Sequence, residues 1–293
     1  MRNYILGYLT SKPLQKYVLN GVTKCCCRIT KLGWFDCVEQ RAIIGKAQLL
    51  MEEHANSHEY QIVALKLFIT LVDEMNTPTV GKTMTAHRKT AVSFRDQGLY
   101  QAFQIAVDVL HKLQVGGNMA SNPQLMDMCN LALQLAANCL TFDFIGTNPE
   151  DSADDVGTVQ VPTAWRPVIQ DTKTVQMFFD LYENTEPPNS NLCLQALVQL
   201  SAVRRSLFSG ETERTEFLHT IMGGIYKIML SKKGLDEEEN YHEFCRLLGR
   251  LKASYQLSEL VKTPRFSEWL KLAADFTIIS FRGWENCMNS IHY

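Results

Sequence analysis

One histidine-containing segment has the residue types of a catalytic zinc site. His242-Glu243-Phe244-Cys245-Arg246 resembles the metalloprotease helix in which two histidines bind zinc and a glutamate acts as general base, but Arg246 stands where the second histidine would be. A single imidazole needs two further ligands to hold catalytic zinc. The spacing predicts instead that Tyr241, Phe244 and Cys245 face the core, while Glu243 and Arg246 pair on the surface one turn apart.

A second segment resembles part of a phosphate-binding loop. Gly81-Lys82-Thr83 is the triplet that ends such a loop, but the full pattern requires a glycine where this chain has Asn76. The preceding residues have the apolar spacing of a helix, whereas a phosphate-binding loop follows a strand. We therefore interpret the triplet as an ordinary turn.

The chain's nine cysteines include the consecutive Cys25, Cys26 and Cys27. Cys245 lies one turn from His242, but it is expected in an apolar stripe, where burial raises the pKa of a thiol and suppresses its reactivity. No Gly-x-Ser-x-Gly nucleophile elbow and no Cys-x-x-Cys pair occurs in the sequence. We expect reduced thiols that act as small buried apolar residues, and a protein that is not an enzyme and has no cofactor or metal site.

An acidic loop is the least helical part of the sequence. Between Thr147 and Arg166 the chain lacks apolar periodicity and carries a group of carboxylates, namely Glu150, Asp151, Asp154 and Asp155. Long loops of this kind are often functional, so these side chains are candidates for contact with a basic partner or with the protein's own inner wall. The alternative interpretation is a solvated acidic connector.

Basic residues form two further candidate sites. Arg204 and Arg205 are expected to close a helix, and Arg246 and Arg250 are expected on the polar side of the following helix. In each case the charges can simply compensate a helix dipole or lie on a solvated face. If equivalent helices stack side by side, the same charges would line a wall that recognises a protein ligand.

Composition and charge narrow the class of protein. The chain has 293 residues, of which 46% are apolar and 20% charged, and its formal net charge is -2. These values argue against a disordered chain, a collagen or a coiled-coil rod, and against nucleic-acid binding through bulk positive charge. The first residues lack a signal peptide, and the longest nearly apolar stretch, Ile62 to Val72, is too short to span a membrane. We expect a protein of the cytosol or nucleus.

Apolar residues recur at helical spacing along most of the chain. Clear stripes run from Ser57 to Asn76, Asn122 to Phe142, Asn189 to Phe208 and Asn240 to Tyr255. Asn122-Pro123 is an N-cap followed by a first-turn proline. The pattern predicts helix pairs whose strongly apolar second helices begin near Leu14, Ser57, Asn122, Asn189 and Leu235.

This rhythm predicts an all-α, HEAT/armadillo-like (TPR-like) α-solenoid of antiparallel helix pairs. We expect one helical-repeat segment over residues 1–293, in which an irregular acidic loop at about 147–168 separates 1–146 from 169–293. An ordinary all-α globular domain is the alternative. Apolar stripes at both ends, where a solenoid normally has polar capping repeats, predict a piece of a longer array or an incomplete gene product.

A resemblance to a known family is distributed along the chain, in the family's order. It rests on the segments Arg28 to Asp36, His87-Arg88-Lys89, Ser93-Phe94-Arg95-Asp96, Asn138 to Thr147, Thr158 to Pro162, Trp165-Arg166, Phe178 to Tyr182, Val203 to Phe208, Asn240 to Leu248 and Tyr255 to Lys262. In these segments the chain resembles the exportin seven and Ran-binding protein sixteen and seventeen family of β-karyopherins. No common chemical function would require these segments to recur in this order, so the resemblance is more specific than a match to a short motif.

The resemblance implies a HEAT-type nuclear transport receptor and not an enzyme. Its expected partners are Ran-GTP, protein cargo and nucleoporins, with neither nucleic acid nor membrane among them, and its expected location is the nucleus, the cytoplasm and the nuclear pore complex. The chain departs from the family in lacking the helical repeats with which family members begin, and in a segment after Asp36 that is shortened. Because those first repeats carry much of the Ran-contacting surface, the alternative is a Ran-independent helical-repeat scaffold.

Overall fold

The computed structural model describes residues 2–11, 14–117, 119, 122–144 and 159–282. These residues fall into two compact units, one within Met1–Glu150 and one within Asp151–Tyr293. Both units are built from helices, and the regular structure of the described residues includes no strand of more than an isolated bridge. The all-α helical-repeat architecture is confirmed. The continuity of the units as one segment of 1–293 stays a prediction.

The described residues of the first unit form eight α-helices. They are α1 (Arg2–Ser11), α2 (Lys16–Leu32), α3 (Val38–Arg41), α4 (Ile43–Glu53), α5 (His58–Asn76), α6 (Met84–Phe94), α7 (Tyr100–Gly116) and α8 (Pro123–Leu140), with a π-helical turn, Arg95–Leu99, between α6 and α7. Helix α1 packs on α2, α4 on α5 and α7 on α8, while the second helices α2, α5 and α8 pack in sequence. Successive pairs therefore cover one another's apolar faces, as in a HEAT-type stack.

The second unit repeats this arrangement. Its helices are α9 (Arg166–Ile169), α10 (Thr172–Asn184), α11 (Asn189–Ser201), α12 (Glu211–Ser231), α13 (Glu238–Ser254), α14 (Leu257–Leu260) and α15 (Phe266–Arg282), with 3-10 turns at Thr163–Trp165 and Arg205–Leu207. Helix α10 packs on α11 and on α12, α11 packs on α13, and α12 packs on α15. First helices thus contact first helices, and second helices contact second helices.

Local signals account for where several helices begin. The Asn122 side chain accepts a hydrogen bond from the Gln124 N–H at 2.9 Å, directly before Pro123, as the sequence predicted. Asp171 caps α10 in the same way, through the Lys173 N–H at 3.0 Å. The predicted starts of the second helices agree with α2, α5, α8, α11 and α13 to within a few residues.

Two glycines allow first helices to approach closely. A Cβ atom on Gly98 would lie 1.8 Å from Cδ1 of Ile44, and one on Gly224 would lie 2.4 Å from the Phe179 ring. Both positions are where neighbouring first helices meet, α4 with the π-helical turn before α7 and α10 with α12. The absence of a side chain is thus a packing requirement at these crossings.

The stripe predicted from Asn189 to Phe208 is helical only as far as Ser201, so the predicted helix end is wrong. Beyond Ser201 the chain turns, and Val203 pairs with Val159 in an isolated parallel bridge. Leu207 and Phe208 are nevertheless buried. The apolar pattern continues past the end of the helix because the turn also buries its apolar residues. Separately, none of the helices in the described ranges is both long enough and apolar enough to cross a membrane.

Candidate partner-binding surfaces

The four candidate carboxylates of the acidic loop, Glu150, Asp151, Asp154 and Asp155, lie outside the described residues. Their role therefore stays a prediction. The described chain resumes at Val159, whose N–H donates to the Ala202 carbonyl at 2.9 Å. The segment that follows the acidic loop is thus fixed beside the turn after α11.

Arg204 and Arg205 lie in that turn rather than at the end of a helix. The expectation that they close a helix is wrong, because α11 stops at Ser201 and Arg204 has an extended backbone with ψ of 142°. The Arg204 Nη2 atom lies 3.5 Å from the Thr163 hydroxyl oxygen. Arg205 forms an exposed ion pair with Glu211 at the start of α12. In this connection between two helix pairs Arg205 is exposed and Arg204 is half-buried.

Arg166 holds this connection together. Its Nε donates to the Leu207 carbonyl at 2.6 Å and its Nη2 to the Ser206 carbonyl at 3.4 Å. Trp165 and Leu207 on the two sides are fully buried. Two segments about forty residues apart in sequence are therefore anchored by side chains in the core and by hydrogen bonds at the surface.

Arg246 and Arg250 differ in their surroundings although both lie on α13. Arg246 donates from Nη1 to both carboxylate oxygens of Glu243, at 2.9 and 3.0 Å, which confirms the predicted pair. Glu243 is buried, however, so the pair lies partly in the interior rather than on an open surface. Arg250 is 7% exposed, and the expectation that it lies on the polar side of the helix is wrong. The buried face of α13 is therefore wider than its apolar stripe indicated.

Arg214 is an interacting residue that the sequence did not reveal. It is 4% exposed, and its Nε donates to Glu259 Oε1 at 2.7 Å while its Nη2 donates to the Ser254 carbonyl at 2.9 Å. The guanidinium also lies 4.2 Å from the centroid of the Tyr255 ring. One indication of this contact was present in the sequence, since Tyr255 and Glu259 both lie in the segment Tyr255 to Lys262 that resembles the family. Their shared partner lies more than forty residues earlier and has no pattern of its own.

The strings that carry the resemblance also meet in the first unit. The Trp34 indole N–H donates to the Ser93 hydroxyl at 3.0 Å, and the Trp34 and Phe94 rings pack edge to face with centroids 5.8 Å apart. Phe142 continues the cluster at 5.9 Å from Phe94, and Arg95 donates to the Phe144 carbonyl. Three segments that are distant in sequence therefore form one aromatic cluster where successive pairs are connected.

A groove of about 530 Å³ opens between the first helices α4 and α7 of the first unit. Met51, Val109 and Met128 lie among its apolar lining residues, and the exposed Glu52 and Asp108 lie on opposite walls. The volume is that of a small ligand pocket, and the apolar lining with a few charges is typical of a surface that receives a side chain or small molecule.

The residues with catalytic potential do not form an activated site. Burial raises the pKa of the Cys245 thiol to about 12, although its hydrogen bond with Tyr241 acts in the opposite direction. Burial likewise raises the pKa of Cys26 to about 11. No group of three or more metal-ligating side chains occurs within the described residues. These raised pKa values are opposite to those of a nucleophilic cysteine, whose accessible, electropositive surroundings lower the pKa of the thiol.

The triplet Gly81-Lys82-Thr83 is a turn between helices, as the sequence predicted. It follows helix α5 and precedes α6, and Gly81 has the positive φ of 79° that a tight turn accommodates with glycine. The Thr83 hydroxyl accepts a hydrogen bond from the Ala86 N–H at 3.2 Å and so caps α6. Its hydroxyl thus serves the helix end.

Comparison with known proteins places the chain beside one group. No protein-family model matches it. It is 41% identical over 298 residues to exportin-7-A of Xenopus laevis, 39% over 303 residues to Ran-binding protein 17 of Homo sapiens and 38% over 306 residues to Ran-binding protein 16 of Drosophila melanogaster. In each case the match covers 100% of this chain and 27% of the relative. The chain is therefore related in sequence, along its whole length, to part of the exportin-7 and Ran-binding protein 16 and 17 family.

Proposed function

We propose that the chain forms part of a nuclear transport receptor that exports protein cargo in a Ran-GTP-dependent manner. The observation that carries the proposal is the similarity of the whole chain to proteins named exportin-7 and Ran-binding protein 16 and 17. The helix-pair stacks support it, because such arrays present long surfaces to protein partners.

The proposed partners are Ran-GTP, protein cargo and nucleoporins, with no nucleic acid and no membrane. The proposed location is the nucleus and the cytoplasm, including the nuclear pore complex, and the proposed activity is binding rather than catalysis. The raised thiol pKa values support the absence of a cysteine nucleophile. Among the candidate contacts, Arg204 and Arg205 are the best placed, because their turn lies at the surface and is anchored from below.

A binding assay with Ran in its two nucleotide states tests the proposal. The chain is immobilised and offered Ran loaded with a non-hydrolysable GTP analogue or with GDP, and exportin-7-A of Xenopus laevis serves as the positive reference. We expect the chain to retain more of the GTP-analogue form. Equal retention of both forms by the chain, even when it is extended to full length, with a clear preference in the reference, would contradict Ran dependence and select the Ran-independent scaffold.

A further inference from the structure

The second unit presents a group of basic side chains at the connection between two helix pairs. Arg166, Arg204 and Arg205, together with the Thr163 hydroxyl, are named here the arginine edge. The parallel bridge between Val159 and Val203 and the hydrogen bonds of Arg166 hold the two contributing segments side by side. The edge is therefore a preformed surface rather than a set of independent long side chains.

Arg204 lies beside a neutral hydroxyl rather than a carboxylate. Its nearest hydrogen-bonding neighbour is the neutral Thr163 hydroxyl, at 3.5 Å. Within the described ranges no carboxylate lies at ion-pairing distance from Arg204, and its Nε is buried with no hydrogen-bond acceptor. A guanidinium with an adjacent hydroxyl donor suits a carboxylate, which can accept from both groups.

Arg205 can exchange its present partner for another. It pairs with Glu211, and the two side chains are 56% and 69% exposed. Exposed pairs of this kind contribute little to stability, so a competing carboxylate can replace Glu211. Arg166 is different because its Nε and Nη2 atoms donate to backbone carbonyls, so its main role is to position the edge.

We propose that the arginine edge binds an acidic segment of a partner protein, with Arg204 and Arg205 each taking one carboxylate. A peptide is favoured over nucleic acid because two arginines in one turn match a pair of carboxylates, whereas a continuous phosphate backbone requires a broad basic surface, and the chain as a whole has a net charge of -2. The inference rests on the proposed function in one respect: the arginine edge would be one of the surfaces with which the receptor binds a partner.

A fluorescein-labelled oligoglutamate peptide tests the inference by fluorescence anisotropy, in the absence of Ran and nucleotide. We expect saturable binding at low ionic strength that weakens as salt is added. The double variant Arg204→Ala/Arg205→Ala is expected to lower the affinity about 10-fold or more. The control Lys227→Ala/Lys252→Ala removes the same net charge at two exposed positions of this unit and is expected to change the affinity less than about 2-fold.

Glu211→Gln gives a test in the opposite direction. The substitution frees Arg205 from its ion pair, so we expect tighter peptide binding. If circular dichroism shows that the double variant is unfolded, this result tests the inference in its place. Equal loss of affinity in the double variant and its control would overturn the inference. So would tighter arginine-dependent binding of an oligouridylate RNA than of the peptide. A failed peptide titration leaves the Ran assay unaffected, so the two proposals fail separately.

Discussion

Arg214 on α12 and Glu259 on α14 form an ion pair with 2.7 Å between Nε and Oε1, and the Arg214 side chain is only 4% exposed. The same carboxylate accepts the Gln256 N–H at 2.9 Å in a capping box. The Glu259 side chain therefore both caps the start of α14 and neutralises the buried Arg214 cation of α12. The Tyr255 ring below the guanidinium adds a cation–π contact.

This pair predicts acid sensitivity of the second unit. The hydrogen bond from Arg214 lowers the pKa of Glu259 from its ordinary value of 4.5. Because the folded pKa is the lower one, the stabilisation is fully present above pH 4.5 and is lost as the pH falls through the folded pKa. We expect Glu259→Gln to lower the free energy of unfolding by about 2 kcal/mol at neutral pH, and by progressively less in acid.

Urea unfolding at a series of pH values measures this difference. Glu211→Gln is the matched control, because it removes the same charge from an exposed pair and is expected to change the free energy of unfolding much less at every pH. A difference between wild type and Glu259→Gln that stays constant down to pH 3 would contradict the assignment of the acid sensitivity to Glu259.

Gly224 and its neighbour Gly223 predict opposite effects of the same substitution. A Cβ at Gly224 would meet the Phe179 ring at 2.4 Å, whereas nothing lies within 4 Å of one at Gly223. We expect Gly224→Ala to destabilise the protein by about 1–3 kcal/mol through overpacking. Gly223→Ala is expected to be neutral or to stabilise by up to about 1 kcal/mol, because alanine favours helix. Thermal melting followed by circular dichroism compares them, and equal melting temperatures would refute the close crossing of α10 and α12.

Leu135 on α8 and Leu248 on α13 test the predicted phase of the second helices. Both are buried, at 0% and 4% exposure, as their stripes indicated. We expect Leu135→Asp and Leu248→Asp each to cost about 3 kcal/mol or more, since each buries an unpaired charge. The exposed neighbour Gln134 provides the control Gln134→Asp, which is expected to melt like wild type. Unchanged circular dichroism and melting in both leucine variants would show that the phase is wrong.

The cysteines predict a graded pattern of alkylation. Cys25 is exposed, whereas Cys26 and Cys245 are buried with pKa values raised by that burial to about 11 and about 12. We expect iodoacetamide at mildly alkaline pH to modify Cys25 at least about 100-fold faster than Cys245. Mass spectrometry of the peptides gives the rates, with urea-unfolded protein as the reference for equal reactivity. Fast native labelling of Cys245 would reopen the cysteine-nucleophile hypothesis.

The sequence by itself determined the features that depend on neighbours within a turn or two. The Asn122-Pro123 start, the second helices near Ser57 and Asn189, and the Glu243–Arg246 pair follow from caps and from three-and-four spacing, which act over a few residues. The similarity in order along the chain likewise needed no structure. These local signals were enough to predict stacked helix pairs.

Only the tertiary structure decided which charged side chains are buried and which are exposed. Arg250 is in the interior, Arg214 meets Glu259 across forty-five residues, and Arg204 lies in a turn that Val159 completes from the far side of the acidic loop. The spacing of an arginine along its own helix carries no information on what packs against it from elsewhere. Long-range packing therefore places one arginine in a buried ion pair and another in a turn at the edge of the unit.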